Sequence, residues 1–486
     1  MATIGAAVDV SGAAFGRELL EHLVLDFRQM REFAAQPWVF VRGEGVRLQD
    51  DTGKWYLDGL SGVFVTSLGY GNQRVVEAAV EQLRTLHFAP PLHGTNPPAL
   101  QLAERLRRLA PPAMWGADGA GGVAVKLLSG GSEATEAALK LARQYHQQAG
   151  HPRKYKVIAR YGAYHGATMG ALSAGGGWER KSVFEPLVPG FLHHHPPHVL
   201  RDLTAGLLDD VASAIASARL VERMIEAEDP ETVAAVIVEP ISVSSAGFVA
   251  PPAAYLQVLR EACDRHHVLL IYDEVITGFG RLGAWFGAQH FGVTPDLLCC
   301  GKGMAGGYAP LAAVLISARV WEAFLGAPGE RKEFHHGHTF GANPVSAAVG
   351  VATIDELEAL GAVENARRQG AVLRTRLEAL RDRFPTLIAD VRGAGLLQGL
   401  EFNLAPFQDS QDGALGRDGR TASPGRHFEA LARERGLIAR CGHDFVVFAP
   451  PLIIGDADLE EMLGIAAGCL EALADSLATV PAASTP

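Results

Sequence analysis

The sequence predicts an α/β protein with a large, mostly parallel-sheet domain and a small α+β domain. From residue 122 onward, apolar strand-like runs alternate with helical stretches, a pattern that favours a parallel sheet with helices on both faces. Several runs, such as VLLIY at 268–272, are continuously apolar, which is typical of strands buried on both faces. After Pro344, long helices lead into short alternating strands, which indicates a separate domain.

These changes in pattern predict three segments. Residues 1–74 form an N-terminal segment that contributes to the small domain, with an amphipathic helix over 14–34 and a small antiparallel hairpin or meander around the turn at 51–53. Residues 75–344 form the large domain, and residues 345–486 form the C-terminal small domain. The polar, glycine-rich stretch 408–426 predicts an exposed, mobile insertion, and 479–486 a frayed tail.

The large domain begins with two helices, the second of which ends at the proline pair 111–112. Its predicted strands follow in the order 123–128, 156–161, 233–240, 268–275, 296–300 and 311–317, with a long helix over 132–150. The small domain contains helices over 345–360 and 371–384, strands within 390–402 and 445–454, and a last helix over 458–473.

Composition excludes several classes of partner. The 486 residues include 43 basic and 54 acidic ones, for a net charge of −11 with no basic cluster, so we expect neither nucleic acid nor an anionic membrane as a partner. No apolar run reaches spanning length, and the N-terminus lacks the pattern of a signal peptide. The five cysteines form no C-x-x-C pair, and reduced thiols in a cytoplasmic protein are the simplest interpretation.

Two predicted strands end in residues that carry chemistry. Asp273 and Glu274 follow one apolar run, and Lys302 follows the next, between two glycines in GKGMAGG. Open α/β sheets bind ligands at the carboxyl ends of their strands. A buried carboxylate and a lysine at such an edge are what pyridoxal 5'-phosphate (PLP) needs, because its aldehyde takes an amine as a Schiff base and its ring nitrogen takes an acid partner.

Two other interpretations account for the same residues. An acidic pair at a strand end is also found in P-loop NTPases, but those need G-x-x-x-x-G-K-[ST], and no such motif occurs in the chain. Alternatively, Lys302 is an ordinary solvated loop lysine, which is the better interpretation for a lysine considered alone. The surrounding motifs favour the cofactor.

Two further motifs follow strands. Ser129–Glu133 (SGGSE) lies where a strand gives way to a helix, and free N–H groups at a helix N-terminus form an anion site. The same residues also suit an ordinary cap, with Ser132 capping and Glu133 in the first turn. Tyr164, in the sequence YHG, could stack on a planar ring or be a half-buried loop tyrosine.

Together these motifs resemble those of the class III, or omega, aminotransferases, which are PLP-dependent enzymes of fold type I. The similarity runs from Trp38 to the final helix, and its motifs occur in the family's order: SGGSEATEAALKLAR, YHG, IYDEVITGFGRLG, GKGMAGGYAPLAAV and HGHTFGANP. It implies a fold type I PLP-dependent transferase, with 75–344 as the PLP-binding domain. It also implies a homodimer or a dimer of dimers with the site at the interface.

The resemblance implies roles at the reactive end of the cofactor. Lys302 provides the Schiff-base amine and then moves the proton between substrate and cofactor carbons. Asp273 keeps the pyridine nitrogen protonated. Val275 packs on the ring face opposite Tyr164, and Glu239, in VEP, lies near the phenolic side.

The remaining implied contacts concern the phosphate and the substrate. Gly131 and Ser132 hold the phosphate, with Thr339 contributed by the partner subunit. Arg440 corresponds to the arginine that moves in for carboxylate substrates and out for apolar amines, although a surface arginine on an edge strand is the simpler alternative. Phe64 falls where the family lines its substrate pocket, or is a core phenylalanine.

One departure from the family bears on the substrate. Ornithine-type members carry an acidic residue shortly after the EP pair, where this chain has Ser244 and Ser245. The sequence therefore predicts a ping-pong transaminase that moves an amino group from an omega-amino acid or amine to an oxo acid such as pyruvate. The alternatives are a 2-oxoglutarate-dependent diamine or omega-amino-acid transaminase, a decarboxylating transaminase and an aminomutase.

Two other patterns are assigned to ordinary structure. His193, His194, His195 and His198 lack the spacing that places zinc ligands on one face, and we expect no metal there. The glycines of 392–395 (RGAG) lack the strand–turn–helix context of a dinucleotide site and predict a turn.

Overall fold

The computed structural model describes residues 22–116, 122–198, 203, 207–244, 247–408 and 423–478. Its strands are β1 (Phe40–Glu44), β2 (Arg47–Asp50), β3 (Trp55–Asp58), β4 (Ala124–Leu128), β5 (Lys156–Arg160), β6 (Phe191–His194), β7 (Val233–Val238), β8 (Ser242–Ser244), β9 (Gly247–Val249), β10 (Leu269–Asp273), β11 (Leu297–Cys300), β12 (Ala312–Ile316), β13 (Ile388–Ala394), β14 (Leu397–Phe402), β15 (Leu437–Ile438), β16 (Arg440–Cys441) and β17 (Phe445–Phe448).

The helices range from single turns to more than twenty residues. They are α1 (Met30–Ala35), α2 (Ser61–Phe64), α3 (Gln73–Thr85), α4 (Pro97–Leu109), α5 (Gly131–Gln148), α6 (Met169–Ala174), α7 (Trp178–Lys181), α8 (Asp210–Ala227), α9 (Ala253–Arg265), α10 (Gly287–Phe291), α11 (Ala318–Glu322), α12 (Pro344–Ala359), α13 (Ala362–Arg383), α14 (Ala405–Gln408), α15 (Pro424–Glu434) and α16 (Asp456–Ala478). Short 3-10 turns occur at Pro112–Met114, Ser182–Phe184, Pro230–Thr232 and Lys302–Met304. Within the described residues, no helix is both long and apolar enough to cross a membrane.

Asparagine caps start three of the longer helices. The side chains of Asn72, Asn96 and Asn343 accept hydrogen bonds from backbone N–H groups in the first turns of α3, α4 and α12. In α4 and α12 a proline occupies the first helical position, where its missing N–H costs nothing and its fixed φ suits the helix. These local signals explain why the predicted and observed starts agree closely.

A seven-stranded sheet forms the centre of the large domain. Its strand order is β4-β12-β11-β10-β7-β5-β6, and all the strands run in one direction except β12, which is antiparallel to both of its neighbours. The sheet is therefore mostly parallel, as the alternation of strands and helices predicts.

The central strands are buried on both faces because helices cover both sides. Val236 and Leu270 belong to the apolar cluster that contains residues of α8 and α9, whereas Ile237 and Ile271 belong to the cluster that contains residues of α5. Every residue of β7, β10 and β11 is buried. This double coverage is why these strands are continuously apolar in sequence.

Segments from both ends of the chain form two four-stranded sheets. Strands β13, β14, β17 and β16 form an antiparallel sheet, against which α13 packs. The meander β1-β2-β3 gains a fourth strand because β3 pairs in parallel with β15, with Leu57 opposite Leu437. The N-terminal segment thus lies beside the C-terminal one.

A buried arginine joins the loop after β10 to residues from both the N-terminal and the C-terminal parts of the chain. Arg281 donates to the carbonyl oxygens of Leu396 at 3.0 Å and Pro450 at 2.5 Å, and to Ser61 Oγ at 3.0 Å. Burial lowers the pKa of its guanidinium to about 9. Because Arg281 follows Asp273 by eight residues, these bonds also hold the loop after β10 in place.

The helix predicted over 14–34 is absent from most of the residues of that range that the structure describes. Residues 14–21 lie outside the described residues, and residues 22–29 are not helical. Phe27 has a φ of +55°, which a continuous right-handed helix does not contain. The Gln29 side chain instead caps the short helix α1 by accepting from the Arg31 N–H at 2.7 Å.

Three further predictions need correction. The insertion predicted to extend to 426 ends earlier, because Ser423 caps α15 by accepting from the Arg426 N–H at 3.1 Å; residues 409–422 and 479–486 lie outside the described part. The histidine run contains strand β6, which polar side chains concealed. In 392–395, residues 392–394 belong to β13 and only Gly395 lies in the turn.

Candidate active site

A cavity of about 310 Å³ lies where the parallel strands of the large sheet end. Among the residues that line it are the following predicted site residues: Gly131, Ser132, Tyr164, Glu239, Asp273, Val275 and Lys302. These residues lie at the carboxyl end of β10 or in the segments that follow β4, β5, β7, β10 and β11. The rule that open α/β sheets collect ligand residues at their carboxyl edge explains why positions so distant in sequence meet here.

Asp273 is the last residue of β10 and is almost completely buried. Its Oδ2 lies 2.8 Å from the Nδ1 of His165, and its Oδ1 accepts from the Val275 N–H at 3.1 Å. These contacts hold the carboxylate in one position at the cavity. His165, which is also buried, was not singled out from the sequence.

Glu274, the other acid of the pair, does not line the cavity. Its carboxylate accepts from Thr277 Oγ1 at 2.8 Å, from the Ala288 N–H at 2.7 Å and from the Gly287 N–H. Burial raises the pKa of Glu274 to about 7. Successive strand residues point to opposite faces, so only one acid of an adjacent pair can serve the ligand. Glu274 instead ties the loop after β10 to α10.

Lys302 follows β11 and opens the turn Lys302–Met304 with a φ of +44°. The left-handed conformation costs a non-glycine residue about 1 kcal/mol, and such strain is concentrated at functional sites. Burial lowers the pKa of the Lys302 amine; the charge of Arg440 lowers it further, against the opposing effects of Asp273 and Glu239. The amine is therefore easier to deprotonate than an exposed lysine.

The start of α5 forms an anion cup at one end of the cavity. Gly130 occupies the cap position without a side-chain bond, so Ser132 lies in the first turn and is not the cap that the sequence suggested. Within the described residues, the buried Ser129 Oγ has no hydrogen-bond partner. The first N–H groups of a helix have no intrahelical acceptor, and they carry the positive end of its dipole.

The loop after β5 packs tightly against this cup. Ser132 Oγ accepts from the Ala167 N–H at 3.0 Å, and the Thr135 hydroxyl donates to the His165 carbonyl at 2.8 Å. A Cβ on Gly166, whose φ is +134°, would lie 2.5 Å from Ser132 Oγ. Only glycine therefore lets this loop approach α5 so closely.

Glu239 is held between the large sheet and Tyr164. Its Oε1 accepts from the Tyr164 N–H at 3.3 Å, and Arg160 donates to its carbonyl at 3.0 Å and to its Oε2 at 3.2 Å. Arg160 is completely buried at the end of β5 and was also missed from the sequence. The charge pair fixes the backbone from which the Tyr164 ring projects.

Three predicted site residues lie outside the cavity wall of this single chain. Phe64 is buried in an apolar cluster, and its neighbour Val65 lines the cavity. The guanidinium carbon of Arg440 lies 5.9 Å from the centroid of the Phe64 ring. Thr339 is exposed in the turn before α12. The proposed roles of these three residues remain predictions.

Ser244 does not project a free hydroxyl towards a substrate. Its Oγ donates to the Gly162 carbonyl and lies 2.8 Å from Ser242 Oγ, while Ser245 lies outside the described residues. The histidine run likewise serves local structure: His193 Nε2 lies 3.0 Å from the Gly175 carbonyl oxygen, and His194 Nδ1 lies 2.9 Å from the carbonyl oxygen of the next residue.

The cavity residues fit PLP. The unpartnered Ser129 hydroxyl and the free N–H groups of α5 suit a phosphate, and the Asp273 carboxylate suits a protonated ring nitrogen. Lys302 provides an amine at the same cavity. A Cβ on Gly131 would lie 3.2 Å from Val275 Cγ1, so the glycine lets the start of α5 lie close to the valine without crowding it.

Comparison with known proteins agrees with this assignment. The model of the family described as aminotransferase class-III matches residues 30–470. A probable aminotransferase of Mycobacterium tuberculosis is 39% identical over 459 residues, 92% of each chain. The beta-alanine–pyruvate aminotransferase of Pseudomonas aeruginosa is 34% identical, covering 93% of this chain and 95% of that protein.

Solved structures show the same fold. A thermostable (S)-enantioselective omega-transaminase from Thermomicrobium roseum superposes with a TM-score of 0.84 at 35% identity, covering 94% of this chain and 97% of that one. An omega-transaminase from Pseudomonas jessenii in complex with PMP gives a TM-score of 0.87 at 32% identity, covering 96% and 99%. The chain belongs to the class III aminotransferases and is a PLP-dependent transaminase, which confirms the predicted fold type I architecture, family and cofactor.

Proposed function

We propose that this transaminase moves an amino group from an omega-amino acid or amine to a small oxo acid such as pyruvate. The observation that carries the proposal is Arg440, which is partly buried and forms no ion pair with any described carboxylate, yet whose charge acts on the Lys302 amine. An arginine so placed is free to take the carboxylate of an acceptor. Relatives named as beta-alanine–pyruvate and taurine–pyruvate aminotransferases support the substrate class.

The chain's own residues divide the work. PLP, when bound, withdraws electrons from the carbon that carries the amino group. Lys302 Nζ removes the proton from that substrate carbon and then delivers it to the cofactor carbon. The neutral amine is available as a base because its pKa is lowered. Asp273, held by His165, balances the positive charge of the ring nitrogen.

The reaction is balanced by two half-reactions. The donor loses its amino group and leaves as an aldehyde or ketone, and the oxo acid takes that group up and leaves as an amino acid. No external oxidant is required, since the second half-reaction reverses the first. The enzyme thereby returns to its starting form.

A donor panel with pyruvate as acceptor tests the proposal. Formation of L-alanine from pyruvate should be supported by beta-alanine and by an arylalkylamine without a carboxylate.

Replacement of Arg440 tests its role in carboxylate binding. In Arg440→Ala, kcat/KM for pyruvate should fall about ten- to a hundredfold because a charged hydrogen bond is lost. The half-reaction of the arylalkylamine should be largely unchanged. Equal losses for both would remove Arg440 from carboxylate recognition, and a strict requirement for 2-oxoglutarate would favour the 2-oxoglutarate-dependent alternative. Arg42→Ala, in an exposed ion pair, is the control.

We also propose that the enzyme is a homodimer or a dimer of dimers with Thr339 at a shared site. Phe340, next to Thr339, is 61% exposed, and α3 presents the apolar side chains of Val76, Val80 and Leu83 to solvent in the single chain. Apolar area of this kind is normally covered by a partner. Sedimentation equilibrium should give twice or four times the chain mass of 51.6 kDa, and a stable monomer that retains turnover would contradict the proposal.

A further inference from the structure

A second arginine lies beside the cavity. Arg180, on the short helix α7, places its guanidinium carbon 4.7 Å from the centroid of the Tyr164 ring. The same carbon lies 4.6 Å from the centroid of the Phe27 ring, in the irregular segment before α1. Tyr164 itself lines the cavity, so Arg180 borders the site from outside that ring.

The hydrogen-bond donors of the Arg180 guanidinium have no partner among the described residues. Its side chain forms no hydrogen bond and no ion pair with any described residue, although it is partly buried. Several other arginines are paired: Arg47, for example, lies 2.6 Å from Glu461, and Arg105 lies 2.6 Å from Asp355.

Contact with two aromatic rings leaves the hydrogen-bonding edge of a guanidinium available. A guanidinium stacks on aromatic faces through its plane, while its five N–H donors point outward within that plane. The contacts with Tyr164 and Phe27 therefore restrict the group without consuming its donors. Such a fork matches both oxygens of a carboxylate or two of the three oxygens of a sulfonate.

Arg180 and Arg440 lie close enough for one charge to affect the other. Burial is the main cause of the lowered pKa of Arg440, and the charge of Arg180 lowers it further. The guanidinium carbon of Arg440 lies 5.9 Å from the centroid of the Phe64 ring, whereas that of Arg180 lies 4.7 Å from the centroid of the Tyr164 ring. The two arginines therefore contact different rings beside the same cavity.

We propose that Arg180 binds the anionic group of donors in which a carboxylate or sulfonate is separated from the amino-bearing carbon by further carbon atoms. This specificity role rests on the proposed function. Arg440 then takes carboxylates attached directly to the reacting carbon, as in pyruvate and alanine. Two arginines on different rings beside one cavity allow one site to hold two substrates of different length in alternation.

The donor panel that tests this role is built from matched pairs. Beta-alanine and taurine have the same spacing and differ only in the anion, so they separate carboxylate from sulfonate recognition. L-alanine carries its carboxylate on the reacting carbon, and an arylalkylamine carries none. Single half-reactions with each donor are followed by the absorbance change of the bound cofactor.

The variants are Arg180→Gln, which removes the charge, Arg180→Lys, which keeps the charge without the fork, and Lys181→Gln, a matched control on the same helix. Arg180→Gln should lower kcat/KM for beta-alanine or taurine at least tenfold, mainly through KM, and change L-alanine and the arylalkylamine less than about twofold. Arg180→Lys should recover part of the loss, and Lys181→Gln should change nothing.

Equal losses on all four donors would reduce Arg180 to a support for the Tyr164 ring, and no loss on any donor would also overturn the proposal. Calorimetric titration with propionate is independent of turnover and should show binding weakened at least fivefold in Arg180→Gln; unchanged binding would contradict the role even if the variant lost activity. A wild-type enzyme inactive with every donor would instead contradict the proposed function. If Arg180→Gln does not fold, Arg180→Met, which also removes the charge but keeps a long side chain, carries the same comparison.

Discussion

Asp273 and His165 are joined by a contact of 2.8 Å between carboxylate Oδ2 and imidazole Nδ1, although the two residues are 108 positions apart. Both side chains are buried, and Asp273 has Val275 N–H as its second partner. A buried carboxylate needs such partners, because an uncompensated charge is costly to desolvate. His165 is therefore a positioning residue for Asp273.

Replacement of His165 tests this relationship. In His165→Leu, kcat should fall about ten- to a hundredfold because one charge-bearing hydrogen bond is lost. The pH at which the absorption spectrum of the bound cofactor changes should move as well, since the Asp273 carboxylate acts on the ring nitrogen. His165→Asn, which keeps a donor, should recover part of the activity. A spectrum and pH profile identical to wild type would show that His165 has only a packing role.

Replacement of Lys302 tests the reactive amine. Lys302→Ala should lose the covalent attachment of PLP that borohydride traps, together with multiple turnover, which should fall about a thousandfold or more. Mass spectrometry after borohydride treatment provides the first readout. Lys332→Ala, in an exposed ion pair remote from the cavity, is the control and should trap the cofactor normally. Wild-type turnover by Lys302→Ala would remove the lysine from the chemistry.

A methyl group on Gly166 should weaken cofactor binding. Its Cβ would lie 2.5 Å from Ser132 Oγ, so the loop would have to move away from the anion cup. We expect the dissociation constant for PLP to rise at least about tenfold, because adding a methyl group to a packed site typically destabilises it by about 1–3 kcal/mol. Gly150→Ala shares the unfavourable positive φ but meets nothing within 4 Å, so it should keep its affinity. Similar losses in both variants would assign the effect to backbone strain alone.

The lowered pKa of Lys302 predicts a pH dependence of cofactor capture. The neutral amine is the reactive form, so the rate at which the apoenzyme attaches PLP should reach its plateau below pH 10.5, the ordinary lysine value. The pKa of the Lys302 amine is higher in the unfolded chain than in the folded one. Its contribution to the free energy of unfolding therefore increases as the pH rises towards 10.5. Stopped-flow absorbance measures the rate, and a rise that continues beyond pH 10.5 would contradict the assigned burial effect.

The site residues at the strand ends could be predicted from the sequence, but several of the residues that hold them in place could not. Continuous apolar runs marked the buried strands, and the positions after them located Asp273 and Lys302 without a structure. His165 and Arg160 gave no separate signal, because a buried histidine and a buried arginine have no sequence periodicity of their own. The contact between Arg180 and Phe27 could not be predicted either, since the two residues are 153 positions apart and Phe27 lies in an irregular segment.

Local competition explains the remaining differences. The helix predicted over 14–34 has the right apolar spacing, but in the described residues the chain turns at Phe27 and a helix forms only from Met30. Strand β6 carries histidines where β-forming residues are expected, and its pairing with β5 overrides that propensity. In both places tertiary contacts decide the structure.

The most direct test of the central claim is the absorption spectrum of the purified enzyme with PLP, recorded before and after adding one amine without an acceptor. The account predicts that the band of the attached cofactor disappears with an arylalkylamine or with beta-alanine and returns when pyruvate is added, because Lys302 and Asp273 complete both half-reactions at one cavity. A wild-type enzyme that forms no such band, or whose band no amine changes, would contradict it.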